Sequence, residues 1–179
     1  MKKSFWLYFG LCIFALVDLV IFGISTIKHM KAADTVEEAF YNDFGDKFQI
    51  NDILTDQDIS LVTYFNEEDV LAHELIIKKD MKWRSLPSYH KNERVFVLKN
   101  SECVVFEKKV NDRTVLYFYH SCRDAQKKIE LCDQLNSEFL LTSAIAPNGD
   151  HYAYGLLVLE TPLPNDYFLT IDGETVAFD

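Results

Sequence analysis

The chain has 179 residues, with 18 Lys and Arg against 28 Asp and Glu, a formal net charge of −10, and 49% hydrophobic residues. Such acidity repels nucleic acid, whose binding depends on neutralising phosphates, and the apolar and aromatic content excludes a disordered chain. With Cys12 in an apolar run and Cys103, Cys122 and Cys132 beyond it, an odd number of thiols is left for the remainder, so this is not a disulfide scaffold.

Residues 5–27 read FWLYFGLCIFALVDLVIFGISTI, with Asp18 as the single charge. A hydrocarbon core of roughly 30 Å needs about 20 mainly apolar residues in a helix, and this run is long enough. Trp6 and Tyr8 sit near one end, Lys2 and Lys3 precede the run, and Lys28, His29 and Lys31 follow it. The competing reading is a secretory signal cleaved after Ser25, but the run exceeds the usual apolar signal core of about 7–15 residues. The expectation is a single-pass signal-anchor: residues 1–4 a short cytoplasmic tail, 5–27 the transmembrane helix, 28–34 a tether, and 35–179 an extracytoplasmic domain at the cell membrane. A carboxylate near the bilayer midplane is costly, which makes Asp18 a candidate contact for a partner helix.

Thr35-Val36-Glu37-Glu38 is a capping box. Val36, Ala39, Phe40 and Phe44 follow at helical spacing and Gly45 supplies the stop, so residues 35–44 are predicted as an amphipathic helix. The period then changes to two. Residues 48–53, 59–65, 70–78 and 82–84 read as a first antiparallel meander, broken by Ser85-Leu86-Pro87-Ser88. Residues 94–99 form a strand, and 103–108 with 114–120 form a hairpin around Asn111-Asp112. Residues 121–135 lean to a short helix or helical turn, with Ile129 and Leu131 alternating as a strand would. A second meander spans 139–178: strands at 139–146 and 152–160 around Pro147-Asn148-Gly149-Asp150, a rigid connection at 161–165, and a hairpin of 167–171 with 175–178 around Asp172-Gly173, a dipeptide suited to a type I′ turn. The fold class is α+β, mainly antiparallel β as a sandwich or curled meander, with one short N-terminal amphipathic helix preceded by a single transmembrane helix.

An N-terminal anchor, a short helix with TVEEAF, and the strand-turn-strand ILTDQDISLVTYF resemble the small membrane-anchored, uncharacterised proteins of Gram-positive bacteria. The resemblance covers the anchor and about the first third of the domain. It implies a location at the bacterial membrane and carries no catalytic residues.

The chemistry-bearing residues are few. If the hairpin turns symmetrically about Asn111-Asp112, Cys103 lies opposite His120, with Cys122 a diagonal neighbour. That register predicts no Cys103–Cys122 disulfide. A histidine between two thiols suits zinc or a thiolate nucleophile, so Cys103, His120 and Cys122 are the alternative metal or enzyme candidates. The spacing matches no established metal template, and a buried cysteine beside a satisfied histidine is the plainer reading. His73 reads as a polar-face residue. There is no Gly-rich phosphate loop, no G-x-S-x-G and no H-E-x-x-H. Tyr117, Tyr119, Tyr152 and Tyr154 alternate at strand spacing as candidates for an aromatic contact face. The expectation is a non-enzymatic, membrane-anchored binding protein with no cofactor. Its partners are the lipid bilayer through residues 5–27 and a protein at the membrane.

Overall fold

Thr35 opens the helix as its spacing predicts. In the computed structural model, which describes residues 32–86, 93–98, 103–122 and 129–178, helix α1 spans Val36–Phe44. Thr35 Oγ1 accepts from the N–H of Glu38 at 3.1 Å. The Glu38 carboxylate reaches back to the N–H of Asp34 (2.8 Å) rather than that of Thr35, so the box closes one residue earlier. Gly45 ends the helix at φ 61, in the left-handed region that glycine enters without steric cost.

Twelve strands follow among the described residues: β1 (Ile50–Asp56), β2 (Ile59–Phe65), β3 (Leu71–Lys79), β4 (Lys82–Ser85), β5 (Glu93–Val97), β6 (Cys103–Val110), β7 (Arg113–Cys122), β8 (Leu131–Asp133), β9 (Leu140–Ile145), β10 (His151–Leu159), β11 (Phe168–Ile171) and β12 (Glu174–Ala177). They form a four-stranded sheet, β1-β2-β3-β4, a five-stranded sheet, β5-β6-β7-β10-β9, and a three-stranded sheet, β12-β11-β8, with antiparallel pairing throughout. The mainly antiparallel β fold with one short helix is therefore as expected.

The side-chain clusters define a stack of four layers. Helix α1 places Val36, Ala39 and Phe40 on Val62, Tyr64, Ile76 and Trp83 of the first sheet. The opposite face of that sheet, Ile59, Leu61 and Leu75, packs on Val115, Tyr117, Leu156 and Val158 of the five-stranded sheet. The far face of the five-stranded sheet, Val105, Leu116, Phe118 and Leu157, packs on Leu169, Ile171 and Val176 of the third. Strands β2, β7 and β10 are thus covered on both faces. Their near-continuous apolar runs follow from that, because alternate residues enter different cores and neither face meets water. At Gly155 a Cβ would lie 2.7 Å from both Phe118 Cε1 and Leu141 Cδ2, so only glycine lets the Phe118 ring cross β10.

Two expectations change. Residues 48–84 do make one sheet, but 139–178 divides: β9 and β10 join the five-stranded sheet and β11 and β12 the third. The break falls at Pro162 and Pro164, which cannot continue a ladder. The stretch 121–135 is not helical where it is described. Ser121 and Cys122 extend β7, and β8 pairs Leu131 with Ile171 and Asp133 with Leu169. Burial against β11 overrides the helix formers there. The break expected at 85–88 is described only as far as Leu86; residues 87–92 lie outside the described residues.

Candidate functional site

The four tyrosines expected to form an aromatic contact face turn largely inward. Tyr117, Tyr152 and Tyr154 are buried and Tyr119 is half-buried. Tyr117 stacks on Phe106, with ring centroids 4.8 Å apart, and its hydroxyl donates to Glu93. Tyr154 donates to Asp52 Oδ2 at 3.1 Å and accepts from Asn51 Nδ2 at 3.0 Å, joining the first two sheets. Strand spacing assigns these side chains to one face but does not reveal that a second sheet covers it.

The register expected for the 103–120 hairpin is present. Cys103 pairs with His120 and Val110 with Arg113, on either side of Asn111-Asp112. Cys103 is a thiol with 0% exposure, inaccessible to substrate, and Cys132 is an exposed thiol. Two neighbours were not anticipated: Asp172 Oδ2 lies 3.6 Å from His120 Nε2, and His151 is the register partner of Cys122. Among the described residues, no three His, Cys, Asp or Glu side chains converge as a metal site would need. Asp18 and the 5–27 span lie outside the described residues, and no described helix is long and apolar enough to cross a membrane.

A recess of about 380 Å³ opens between the β5–β6 pair and the connection that leads into the last hairpin, lined by Arg94, Glu107, Lys109, Pro162, Leu163, Pro164, Asn165 and Phe178. Arg94 and Glu107 are register partners, so they project on the same face. The Arg94 Nε donates to the Glu107 carboxylate, which is only 3% exposed, and this neutralises a charge that burial would otherwise penalise. Lys109, two residues further along the same face, is exposed. The opposite wall is held from below. Tyr167 donates its N–H to Pro164 O (3.1 Å) and accepts at its carbonyl from Phe178 N (3.0 Å). The Phe178 ring sits 4.5 Å from Phe96 and 5.3 Å from Tyr167. The Tyr167 hydroxyl donates to Asp133 Oδ2 at 2.7 Å. Burial pushes the Asp133 carboxyl up, but hydrogen bonds from the Ser137 side chain and N–H, Tyr167 and the Leu135 N–H together hold it below the usual carboxylate range. The sequence carried one signal for this site. Cys103, Val105 and Glu107 share the core-facing period of β6, and an acid at such a position calls for a basic partner.

A second group of titratable residues lies near the first two sheets. The His73 ring packs on Phe106 and Tyr117, at 4.7 and 4.9 Å, so it is a sheet-to-sheet contact and not a polar-face residue. Beside it in the sequence, half-buried Glu74 is pushed up to about 8. Desolvation is the main cause; Lys108 pulls the other way, and the charges of Asp43 and Glu93 add to the rise. Tyr117 is driven well above its ordinary value by burial, by its bond to Glu93, and by the charges of Glu93 and Glu74. The recess opens to solvent with mixed walls, the ion-paired Arg94 and Glu107 and exposed Lys109 on one side and Pro162, Leu163 and Pro164 on the other, which is an arrangement for binding.

No family model matches the chain, and comparison with curated proteins and with solved structures returns no match.

Proposed function

We propose that this chain is a membrane-anchored domain, displayed outside the cytoplasm, that recognises a partner and performs no chemistry on it. The apolar run 5–27 is the anchor in this reading, and the resemblance to small membrane-anchored proteins of Gram-positive bacteria agrees with it. One observation carries the binding role: the recess lined by Arg94, Lys109, Leu163 and Phe178. Its volume falls at the lower end of the roughly 300–1,000 Å³ typical of small-ligand sites. Among the described residues its one lining carboxylate, Glu107, is tied to Arg94 and so is poorly placed to act as a general base.

Two experiments test this on the full chain in cells. A membrane-impermeant maleimide should label Cys132 in intact cells, with Cys132→Ser as the blank; labelling only after permeabilisation overturns the outward orientation. A photo-crosslinking residue at exposed Asn165 should capture adducts that the same residue at exposed Met81 does not. Identical adduct patterns at the two positions, or none at 165, overturn the recess as the binding site.

A further inference from the structure

Resting on that reading, we infer that the recess takes a single carboxylate carried on a small apolar body, such as the carboxyl end of a hydrophobic peptide or a short free acid. The charge balance of the lining points there. Arg94 and Lys109 bring two positive charges and Glu107 one negative. Arg94 and Glu107 form an ion pair, and Lys109 stands exposed at the rim. In a chain of net charge −10, the described lining has a local cationic excess of one, and such a spot selects and steers a monoanion.

A dianion such as phosphate is a poorer fit. Phosphate cradles are built from converging backbone N–H groups. The wall contributes Pro162 and Pro164, which have no N–H to give, and the Glu107 carboxylate repels a second negative charge. The rest of the lining, Leu163, Phe178 and the two proline rings, rewards an apolar body by removing its surface from water. The Asn165 side chain adds an amide NH2 that can donate to the carboxylate and orient it.

The test uses the full chain in lipid nanodiscs with methyl-labelled leucine, and follows the Leu163 methyl signals, identified by their loss in Leu163→Met. The probes are N-acetyl-Leu-Leu as the free acid, the same dipeptide as its C-terminal amide, 4-methylpentanoate, and inorganic phosphate. The acid should shift the Leu163 methyls at least about tenfold more tightly than the amide, the usual worth of a hydrogen bond to a charged group. Lys109→Gln should weaken the acid by a few-fold, roughly up to fivefold, as an exposed ion pair does, and phosphate should not displace it. Tighter binding of the dipeptide acid than of 4-methylpentanoate identifies a peptide end, and equal binding identifies a free acid; both sustain the inference. Equal binding of acid and amide, or displacement by phosphate, overturns the carboxylate assignment and leaves the recess as a binding site. If no probe moves the methyls while residue 165 still yields its own adducts, the ligand class falls alone; if the adducts are missing too, both fall.

Discussion

Asp133 holds the wall of the recess from beneath, and removing it tests how that wall is held. The carboxylate is buried and accepts four hydrogen bonds: from Leu135 N at 3.1 Å, and from Ser137 N, Ser137 Oγ and the Tyr167 hydroxyl at 2.7 Å each. The donors are not equivalent. Leu135 is exposed and Ser137 half-buried, so water replaces the carboxylate at little cost, whereas Tyr167 has 0% exposure and its hydroxyl would be stranded. A hydrogen bond to a charged group is worth about 1.5–3 kcal/mol, and a buried unsatisfied donor costs about 1–3 kcal/mol. Asp133→Ala should therefore cost about 3–4 kcal/mol, roughly 6–15 °C in melting temperature for a domain of this size. Tyr167→Phe alone should cost about 2 kcal/mol, because Asp133 keeps its other three donors. The double variant should be no less stable than Asp133→Ala, since the second change removes the stranded hydroxyl, giving a coupling of about 2 kcal/mol. Thermal melts of the full chain in detergent, followed by circular dichroism, measure all three. Additive losses would refute the account. The pH dependence has a defined sign. The folded carboxyl titrates below its unfolded value of about 3.9, so its stabilisation is present above pH 4 and is lost as pH falls through the folded value. The deficit of Asp133→Asn should accordingly shrink below pH 4.

Glu74 has the opposite sign. Its carboxyl is raised to about 8, so the folded state binds the proton more tightly and stability falls as pH rises from about 4.5 to 8; Glu74→Gln should flatten that decline in melts across the range, and an unchanged slope would remove Glu74 as its source. Met81 is 79% exposed and sits at φ 63 beside Asp80 at φ 52 in the β3–β4 turn; left-handed backbone costs a non-glycine residue about 1–2 kcal/mol, so Met81→Gly should stabilise by about 1 kcal/mol in urea unfolding. Phe40 is fully buried against Tyr64 and Phe44, at 5.2 and 4.7 Å; Phe40→Ala should cost about 3–5 kcal/mol, and an unmoved melting point would mean that α1 is not docked on the first sheet.

Local chemistry decided much of this molecule in advance. The Thr35 cap and Gly45 stop bracket the helix, Asn111-Asp112 sets Cys103 opposite His120, and Asp172-Gly173 turns the last hairpin with both residues at positive φ. These are interactions between near neighbours, and their residue types can be read in order along the chain. The turn between 78 and 82 is legible from the meander, but the positive φ at Met81 is not, because methionine seldom adopts it and the β3–β4 ladder imposes it. Layering was also beyond the pattern. Alternation in β7 says that Tyr117 and Leu116 face opposite ways, but whether each face meets water or another sheet depends on segments far off in the chain. The same holds for residues 131–133, where pairing with β11 outweighs local helix preference, and for the recess, whose walls come from Arg94, Glu107 and Lys109 on one side and Pro162 to Asn165 with Phe178 on the other. The period of β6 turns Glu107 toward the core, but that Arg94 is its partner is decided only by the tertiary structure, because burial and charge neutralisation arise when separate segments meet.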